Sequence, residues 1–419
     1  MAINTSWTVK IGTVASPTDF TSRVMGMQID QDVDVNVIGR GRCVITLLNR
    51  DGALTPGGGG TYGTTDWFAQ GVFVACLTNT GGADTTHQVF HGIVVDFDLQ
   101  DDGVFSTVTI TAIDALAVGG KSRAGTANAF ATTTYTNLVA VAVLPGDTLL
   151  QFPKLGASTV TTTQTWLNAE NPSVLNDNTV TYDTYASFWS QSMVTSANDV
   201  FWATTITSSA GDVVYSMAGL PNTNTRSAAN QTDFEFDPPG SLSGSKLPFD
   251  IDQFDQSFNN DTLITQTQIK GNYTGAATVS TQASTISTYG SRTLTLTNTF
   301  IPNATAVSAM ASKLLNRYGT SRFSPTTIQT SASLVKRLAS DSAVGKWRHL
   351  LDVEKGFWQR AKITWTGSGA ASQTAYCVIK GRRISVTPAD TVVTLSLGNW
   401  ADNHSFILDT DQLNVDRLG

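Results

Sequence analysis

The residues whose types could do chemistry are concentrated in one short stretch, which begins at His87 and ends at Asp102. His87 and His91 are four residues apart, a spacing that would place two metal ligands on one face of a helix. The β-branched and aromatic residues around them predict a strand instead, in which four residues span about 13 Å. Because metal–ligand distances are about 2 Å, we expect structural histidines here and neither a metal nor a cofactor.

The acidic residues of the same stretch are the next candidates: Asp96, Asp98, Asp101 and Asp102. Two carboxylates can act as acid and base, or as nucleophile, in glycoside hydrolysis. Asp96 and Asp98 share one face of the predicted strand, whereas the other two lie in the predicted turn, and no cleft signal accompanies them. We therefore interpret them as a solvated strand edge whose charges discourage unwanted pairing, and we expect no enzyme.

The cysteines indicate no redox or metal chemistry. Cys43, Cys76 and Cys377 are odd in number, widely spaced and each embedded in an apolar, strand-like segment. We therefore predict three buried free thiols rather than a disulfide framework.

Basic residues form small islands that DNA or acidic neighbours could contact, although solubilising surface residues are the favoured interpretation. These residues are Arg40, Arg42, Lys380, Arg382 and Arg383.

Composition excludes several classes of protein. The 419 residues are 41% hydrophobic but only 14% charged, and the formal net charge is −7. An acidic chain argues against a general DNA-binding surface, which needs a basic face. The first residues lack the basic and apolar regions of a signal peptide, and no apolar run is long enough to cross a membrane.

The stretch with the histidines and aspartates predicts a β-hairpin. Residues 89–99 form one strand, the Gln-Asp-Asp-Gly segment at 100–103 favours a tight turn, and residues 104–113 alternate between apolar side chains and Thr or Ser. Asp114 follows the second strand, where its side chain could cap a short helical turn over 115–117.

The chain as a whole predicts a mainly β, multidomain protein. Short alternating strands predict a small barrel over residues 1–119, and strands return over 336–419, with residues 350–353 among them. Between the two end barrels, residues 120–245 and 246–335 predict α+β domains, and strands of the latter could belong to a neighbouring domain.

Two helices and one loop stand out. A cap at Asp183 predicts a helix within residues 182–193, and an amphipathic pattern predicts a second helix that follows Asn303 and ends at Gly319. The four consecutive glycines at 57–60 predict a flexible, exposed connector.

Several of these segments resemble the tail-tip hub proteins of long-tailed bacteriophages, especially those of actinobacteria, which are also called minor tail or baseplate hub proteins. The segments are the Phe90-x-Gly92 strand with its hairpin and Asp-Ala-Leu-Ala ending, ITLLNRDGALTP at 45–56, the segment 284–328 with its amphipathic helix, and VIKGRRISVTPADTVVTLSL at 378–397. The resemblance covers most of the chain except the variable middle.

The resemblance implies a structural virion protein that is not an enzyme. Such hubs form a homotrimeric cup at the distal end of the tail, with tube-type β-barrels at the chain ends, and close the tube before DNA ejection. The implied partners are the distal tail protein ring, the C-terminus of the tape-measure protein and tail-tip fibre or receptor-binding proteins, with DNA only in transit. Assembly in the host cytoplasm, location in the virion and no stable membrane insertion are also implied.

The alternative is an envelope glycan-binding or glycan-hydrolysing β-protein. Trp166, Trp189 and Trp202 could form a platform for sugars, although their strand-like and helix-like spacing favours core packing. Binding of a soluble glycan by the isolated protein would favour this alternative, whereas a stable trimer without such binding would favour the hub.

A hub leads to two further expectations. The wall of a DNA channel should be neutral or acidic, because a basic wall would bind phosphates, and the four aspartates are candidates for the lumen or for a ring contact. The two end barrels should share a topology, so that three copies imitate six-fold symmetry and pair their strand edges across subunits.

Overall fold

The fold is known from a computed structural model of the chain. It describes residues 5–13, 16–34, 37–80, 83–101, 105–114, 133–134, 159–162, 173–174, 201–207, 213–219, 234–240, 242–258, 263–271, 275–296, 303–319, 323–339, 341–352, 360–366 and 372–399.

The N-terminal part of the chain forms an antiparallel unit. Its strands are β1 (Thr5–Thr13), β2 (Ser16–Asp19), β3 (Val24–Asp34), β4 (Val37–Leu48), β5 (Gly71–Thr80), β6 (Ala83–Asp101) and β7 (Ser106–Ile113). They are hydrogen-bonded in the order β3-β4-β7-β6-β5-β1-β2. The predicted hairpin is confirmed, since β6 pairs with β7 up to Asp101 opposite Ser106.

The middle of the chain contributes short strands and two small sheets. Its elements are β8 (Thr133–Thr134), β9 (Thr159–Thr162), β10 (Ser173–Val174), β11 (Phe201–Thr207) and β12 (Val213–Gly219). The apolar segments at 200–206 and 213–217, joined by the Ser-Ala-Gly-Asp turn at 209–212, predict a hairpin. β11 and β12 form this hairpin, and β9 adds to it in parallel. The helix expected within 182–193 and the side chains of the three tryptophans lie outside the described part of the chain.

The C-terminal unit takes strands from both sides of an insertion. Its elements are β13 (Phe234–Asp237), β14 (Leu247–Pro248), β15 (Asp255–Phe258), then β19 (Phe323–Ser331), β20 (Arg360–Thr366), β21 (Ser372–Val386) and β22 (Thr391–Asn399). β21 pairs with β20 on one edge and with β22 on the other, and β22 leads through β19 to β15.

The insertion is a small α/β layer with its own core. Its elements are β16 (Gln266–Lys270), β17 (Thr278–Gln282), α1 (Ile286–Tyr289), β18 (Thr293–Leu296) and α2 (Ala304–Tyr318). The expected amphipathic helix is confirmed, because α2 begins directly after Asn303 and buries Val307, Met310 and Leu314 against Ile269.

Two further helices, α3 (Ala332–Leu338) and α4 (Asp341–Leu351), follow β19. The expectation of a strand at 350–353 is wrong at its start, because Leu350 and Leu351 belong to α4. This helix buries Ala343, Trp347 and Leu350, which recur at helical spacing, in the central core. Val344 and Gly345 weaken the local helix signal, and burial compensates for it. None of the described helices is long and apolar enough to cross a membrane.

The two end units share a sheet and a core. Fourteen of the described strands form one continuous sheet, in which β3 of the N-terminal unit pairs with β21 of the C-terminal unit. One cluster of buried side chains contains Ile29 and Ile45 from the first unit together with Trp347, Ile384 and Leu395 from the second. The chain ends therefore fold together, although each keeps a strand order of its own.

The two strand orders are the same. The N-terminal unit reads β1-β5-β6-β7-β4-β3, and the C-terminal unit reads β13-β20-β21-β22-β19-β15. In each row the last three strands along the chain, β5-β6-β7 or β20-β21-β22, lie together in the middle. The first strand, β1 or β13, lies on one side of them, and the pair β3-β4 or β15-β19 lies on the other. The strand order agrees with the expectation of a shared topology, but the first strand differs in direction, because β1 pairs with β5 antiparallel and β13 pairs with β20 parallel. Superposition of the two units and closure of each into a barrel stay predictions.

Candidate assembly interface

The junction between the units is an antiparallel strand pair. β21 lies against β3 with Gly381 opposite Asp32 and Val386 opposite Met27, and the pairing is unbroken between them. Because side chains alternate along each strand, one face of this junction points into the shared core and the other away from it.

On the core side, the junction carries a buried arginine. The Arg382 guanidinium donates through Nε and Nη2 to Gln31 Oε1 at 2.9 and 2.7 Å. It also donates to the carbonyl oxygens of Leu350 at 2.6 Å and Asp352 at 2.9 Å, at the C-terminal end of α4. Arg382 is only 2% exposed, and burial lowers the pKa of its guanidinium to about 9. The negative charge of Asp352 raises this pKa and so opposes part of the shift. Arg382 therefore connects β21, β3 and α4.

This arrangement corrects the interpretation of Arg382 as a surface residue. A lone Arg on a strand gives no sequence signal of burial, because the acceptors that satisfy it lie on β3 and at the end of α4. Arg42 and Arg383 are exposed, as expected, and Arg383 forms an ion pair with Asp30 of β3. The Arg40 side chain lies outside the described part of the structure.

On the face away from the core, the sheet is polar across both units. Strand pairs connect Asp96 to Thr111, Thr111 to Val44, Val44 to Gln28, and Gln28 to Ser385, so this face runs without interruption from β6 to β21. The side chains that accompany this row on the same face are Asp98, Thr109, Thr46, Arg42, Asp30, Arg383, Thr394 and Gln329.

The candidate aspartates lie at one end of this polar face. Asp96 and Asp98 are exposed and follow a bulge between Val94 and Asp96. Asp101 is exposed at the end of β6, whereas Asp102 lies outside the described residues. Asp96 Oδ1 accepts the Phe97 amide at 3.0 Å, and Gln100 Nε2 donates to Asp98 Oδ2 at 3.3 Å.

The histidine and cysteine positions are structural. His91 is 7% exposed and stacks on Phe73 with ring centroids 4.3 Å apart, and desolvation lowers its pKa to about 3. His87 lies on the same strand, opposite Cys76 of β5. Within the described residues, no three His, Cys, Asp or Glu side chains lie close enough together to hold a metal ion.

The prediction of buried free thiols is confirmed. Cys43, Cys76 and Cys377 are each 0% exposed and form no disulfide. Burial raises the pKa of Cys76 and Cys377 to about 12 and that of Cys43 further, so these thiols stay protonated at neutral pH.

A groove of about 560 Å³ lies where the two units meet at the start of β3. Trp7 closes one side by donating its indole N–H to Thr391 Oγ1 of the C-terminal unit at 3.2 Å. Asp390, which precedes Thr391, accepts the backbone N–H of Ser333 at 3.0 Å. No sequence pattern predicts this groove, because its walls come from opposite ends of the chain.

Comparison with known proteins places this architecture among tail proteins. No protein-family model matches the sequence, and no curated protein sequence matches it. A tail protein from Neisseria meningitidis MC58 has a similar structure, with a TM-score of 0.53 and 12% identity over 94% of this chain and 96% of that one.

Two other solved structures are similar at lower scores. The 43 kDa tail protein of prophage MuSo2 from Shewanella oneidensis has a TM-score of 0.49 and 11% identity over 93% of this chain and 97% of that one. A component of the type VI secretion system of E. coli has a TM-score of 0.47 and 10% identity over 94% of this chain and 76% of that one. The tail protein from Neisseria meningitidis, whose TM-score exceeds 0.5, shows that this chain has the fold of a tail protein, so the expected resemblance is confirmed for the fold.

Proposed function

We propose that this chain is a structural virion protein, the hub at the distal end of a phage tail. The observation that carries the proposal is the fusion of two units of equal strand order into one sheet with a continuous polar face. Because the unit occurs twice per chain, three copies of the chain present six similar units to a six-fold ring. A chain with one such unit would have to form a hexamer to do the same.

The polar face suits the wall of a channel for DNA. Its described charged side chains have both signs: Arg383 forms an ion pair with Asp30, and Arg42 lies opposite the same aspartate. Thr and Gln dominate the remaining positions, and Asp96 and Asp98 add negative charge at the β6 end. Such a wall lacks the dense positive charge that binds phosphates and slows transit. We therefore assign this face to the lumen, with the candidate aspartates on or near it.

A hub of this kind has no catalytic task. Its partners are two other copies of the chain, the distal tail protein ring, the C-terminus of the tape-measure protein and tail-tip fibre or receptor-binding proteins. It is assembled in the host cytoplasm and located at the tail tip of the virion, where it closes the tube until DNA passes. The domain limits 1–119, 120–245, 246–335 and 336–419 belong to this proposal, with strands of 234–258 added to the last unit by pairing.

Mass photometry and negative-stain electron microscopy of the purified protein test this function. We expect a species of three chains with a central pore, and no release of reducing sugars from peptidoglycan or envelope polysaccharide. A stable monomer, a ring of six chains or an Arg- and Lys-lined pore would contradict the hub. Sugar release that is abolished by Asp96→Asn or Asp98→Asn would support the glycan-acting alternative.

A further inference from the structure

We propose that the unpaired edge of β6 in one copy of the chain binds the outer edge of β15 in a second copy, in the register that joins β21 to β3. This inference rests on the proposed function for the number of copies. The register itself follows from an equivalence between the two units.

The first part of the equivalence is a shared bulge. β6 shifts register between Val94 and Asp96, and β21 shifts register between Ile379 and Gly381. After the bulge, each strand makes six successive pairs with the next one. They run from Asp96–Thr111 to Asp101–Ser106 in the first unit and from Gly381–Ser396 to Val386–Thr391 in the second.

The equivalence continues across the next two strands. Thr111 lies opposite Val44, and the matching residue Ser396 lies opposite Thr327. Val44 in turn lies opposite Gln28 of β3, and Thr327 lies opposite Asp255 of β15. Asp255 therefore occupies in the second unit the position that Gln28 occupies in the first.

The equivalent edges differ in whether they are covered. They differ also in the partner strand, since β19 has one extra residue opposite the step from Asp255 to Gln256, whereas β4 has none opposite the step from Gln28 to Ile29. Ile93 pairs with Gly71 of β5 and with Ile113 of β7, so these strands lie on opposite edges of β6. Beyond that point, no described strand pairs with residues 96–100 on the β5 side, whereas β3 covers the matching edge of β21. β15 likewise pairs with β19 alone among the described strands. An uncovered edge of this kind presents free N–H and C=O groups to another chain.

The register makes a specific statement about residues. Ser385 lies opposite Gln28 in the junction, so Gln100 of one copy should lie opposite Asp255 of the next. In the next two pairs of the same register, Leu99 lies opposite Gln256 and Asp98 lies opposite Ser257. In this register no two carboxylates lie directly opposite each other, so the pairing avoids like-charge repulsion.

The same mapping explains a difference in chemistry between the two junctions. The position of Arg382 within the chain corresponds to Phe97, and that of Gln31 corresponds to Phe258. Within one chain, a charged arginine is satisfied by acceptors that fold together with it. Between copies, Phe97 occupies the position of the arginine, so the contact brings no charge there that needs a buried acceptor.

The contact is head-to-tail, because one copy offers β6 and its neighbour offers β15. Every copy has both edges, so the contact repeats until the rotation closes the ring. Closure would remove both free edges and would extend the polar face around the whole lumen. The charges of Asp96 and Asp98 then select this partner strand over others rather than preventing all pairing.

Disulfide trapping tests the register. The double variant Gln100→Cys/Asp255→Cys, oxidised with copper phenanthroline, should give a reductant-sensitive covalent species of three chains. The matched control Asp96→Cys/Asp255→Cys is about 13 Å out of register and should give little product. Neither single variant should crosslink alone, and a mixture of the two should give dimers. The native cysteines do not interfere, since all three are buried.

Mass photometry of the same samples separates the two proposals. A trimer in which the in-register pair does not crosslink, or crosslinks no better than the control, would overturn this pairing and leave the hub intact. A monomer would overturn both.

Charge substitutions at the same pair give a second measurement. Gln100→Asp should weaken each contact about two- to fivefold by placing a carboxylate opposite Asp255. Adding Asp255→Lys should restore assembly. Equal assembly of the variant and the wild-type protein would count against Gln100 and Asp255 being opposite.

Discussion

Gly41 and Asp114 are joined by two hydrogen bonds that tie the end of β7 to β4. The Gly41 amide donates to Asp114 Oδ2 at 2.6 Å, and the Asp114 amide donates to the Gly41 carbonyl oxygen at 3.0 Å. Asp114 is 7% exposed, so its carboxylate accepts this bond where little water competes. The sequence suggests instead that Asp114 caps a turn over 115–117, which lies outside the described residues.

Gly41→Ala should therefore destabilise the N-terminal unit. A Cβ at this position would lie 2.6 Å from Asp114 Oδ2, so the charged hydrogen bond has to break or the strands have to separate. We expect a loss of about 1.5–3 kcal/mol, as for other hydrogen bonds to charged groups, measured as a lower midpoint of urea unfolding. Asp98→Asn, on an exposed site, is the control and should leave the midpoint unchanged.

Arg382→Met should separate the two end units more easily. The substitution keeps an apolar stem but leaves Gln31 Oε1 and the two α4 carbonyl oxygens without their donor. Each orphaned buried acceptor costs about 1–3 kcal/mol. Hydrogen exchange should show faster exchange in β3 and β21. Arg383→Met is the control, because it removes only an exposed ion pair worth about 0–1 kcal/mol and should leave hydrogen exchange unchanged. Unchanged exchange in the Arg382 variant would show that Arg382 does not hold the junction.

Gly63→Ala should disrupt the loop between β4 and β5, which the sequence suggests is a flexible connector. The structure instead shows a compact loop, with the Gly57 amide donating to the Gly63 carbonyl oxygen at 2.8 Å and the Tyr62 amide donating to that of Ala53 at 2.9 Å. A Cβ at Gly63 would lie 2.1 Å from the Gly58 carbonyl oxygen, whereas one at Gly59 meets nothing within 4 Å. Thermal unfolding should fall for Gly63→Ala and stay the same for Gly59→Ala; equal effects would mean that the loop is not packed.

His91→Phe should flatten the acid side of the stability profile. Burial lowers the pKa of His91 to about 3 from 6.5, so the unfolded chain binds a proton between these values and the folded chain does not. Stability therefore falls as the pH falls from about 6.5 towards 3, by up to about 1.4 kcal/mol for each pH unit. Melting temperatures at pH 8 and pH 4.5 should differ less in the variant. The same difference in both proteins would show that His91 is protonated in the folded state.

The three cysteines should not react with a thiol-specific dye in the native protein. Burial keeps them protonated, with the pKa of Cys76 and Cys377 at about 12, and the thiolate is the reactive form. All three should react once the chain is unfolded in urea, which gives the reference. Rapid labelling without urea would mean that the core around β4, β5 or β21 opens.

Local patterns alone predict the elements that are stabilised by their own alternation or periodicity. The β6–β7 and β11–β12 hairpins, the helix α2 and the burial of Cys43, Cys76 and Cys377 are of this kind. In each, the residues that decide the structure are neighbours in the chain, so the sequence displays the pattern directly.

Tertiary structure decides what depends on partners far apart in the chain. Arg382 is buried because Gln31, 351 residues earlier, lies beside it when β3 pairs with β21. Helix α4 forms despite Gly345 because Trp347 and Leu350 fill the shared core. The sequence by itself determined the alternation of each strand and therefore which side chains face the core. Only the fold decided which strand edges meet, because every edge offers the same backbone groups, and long-range packing alone selects among them.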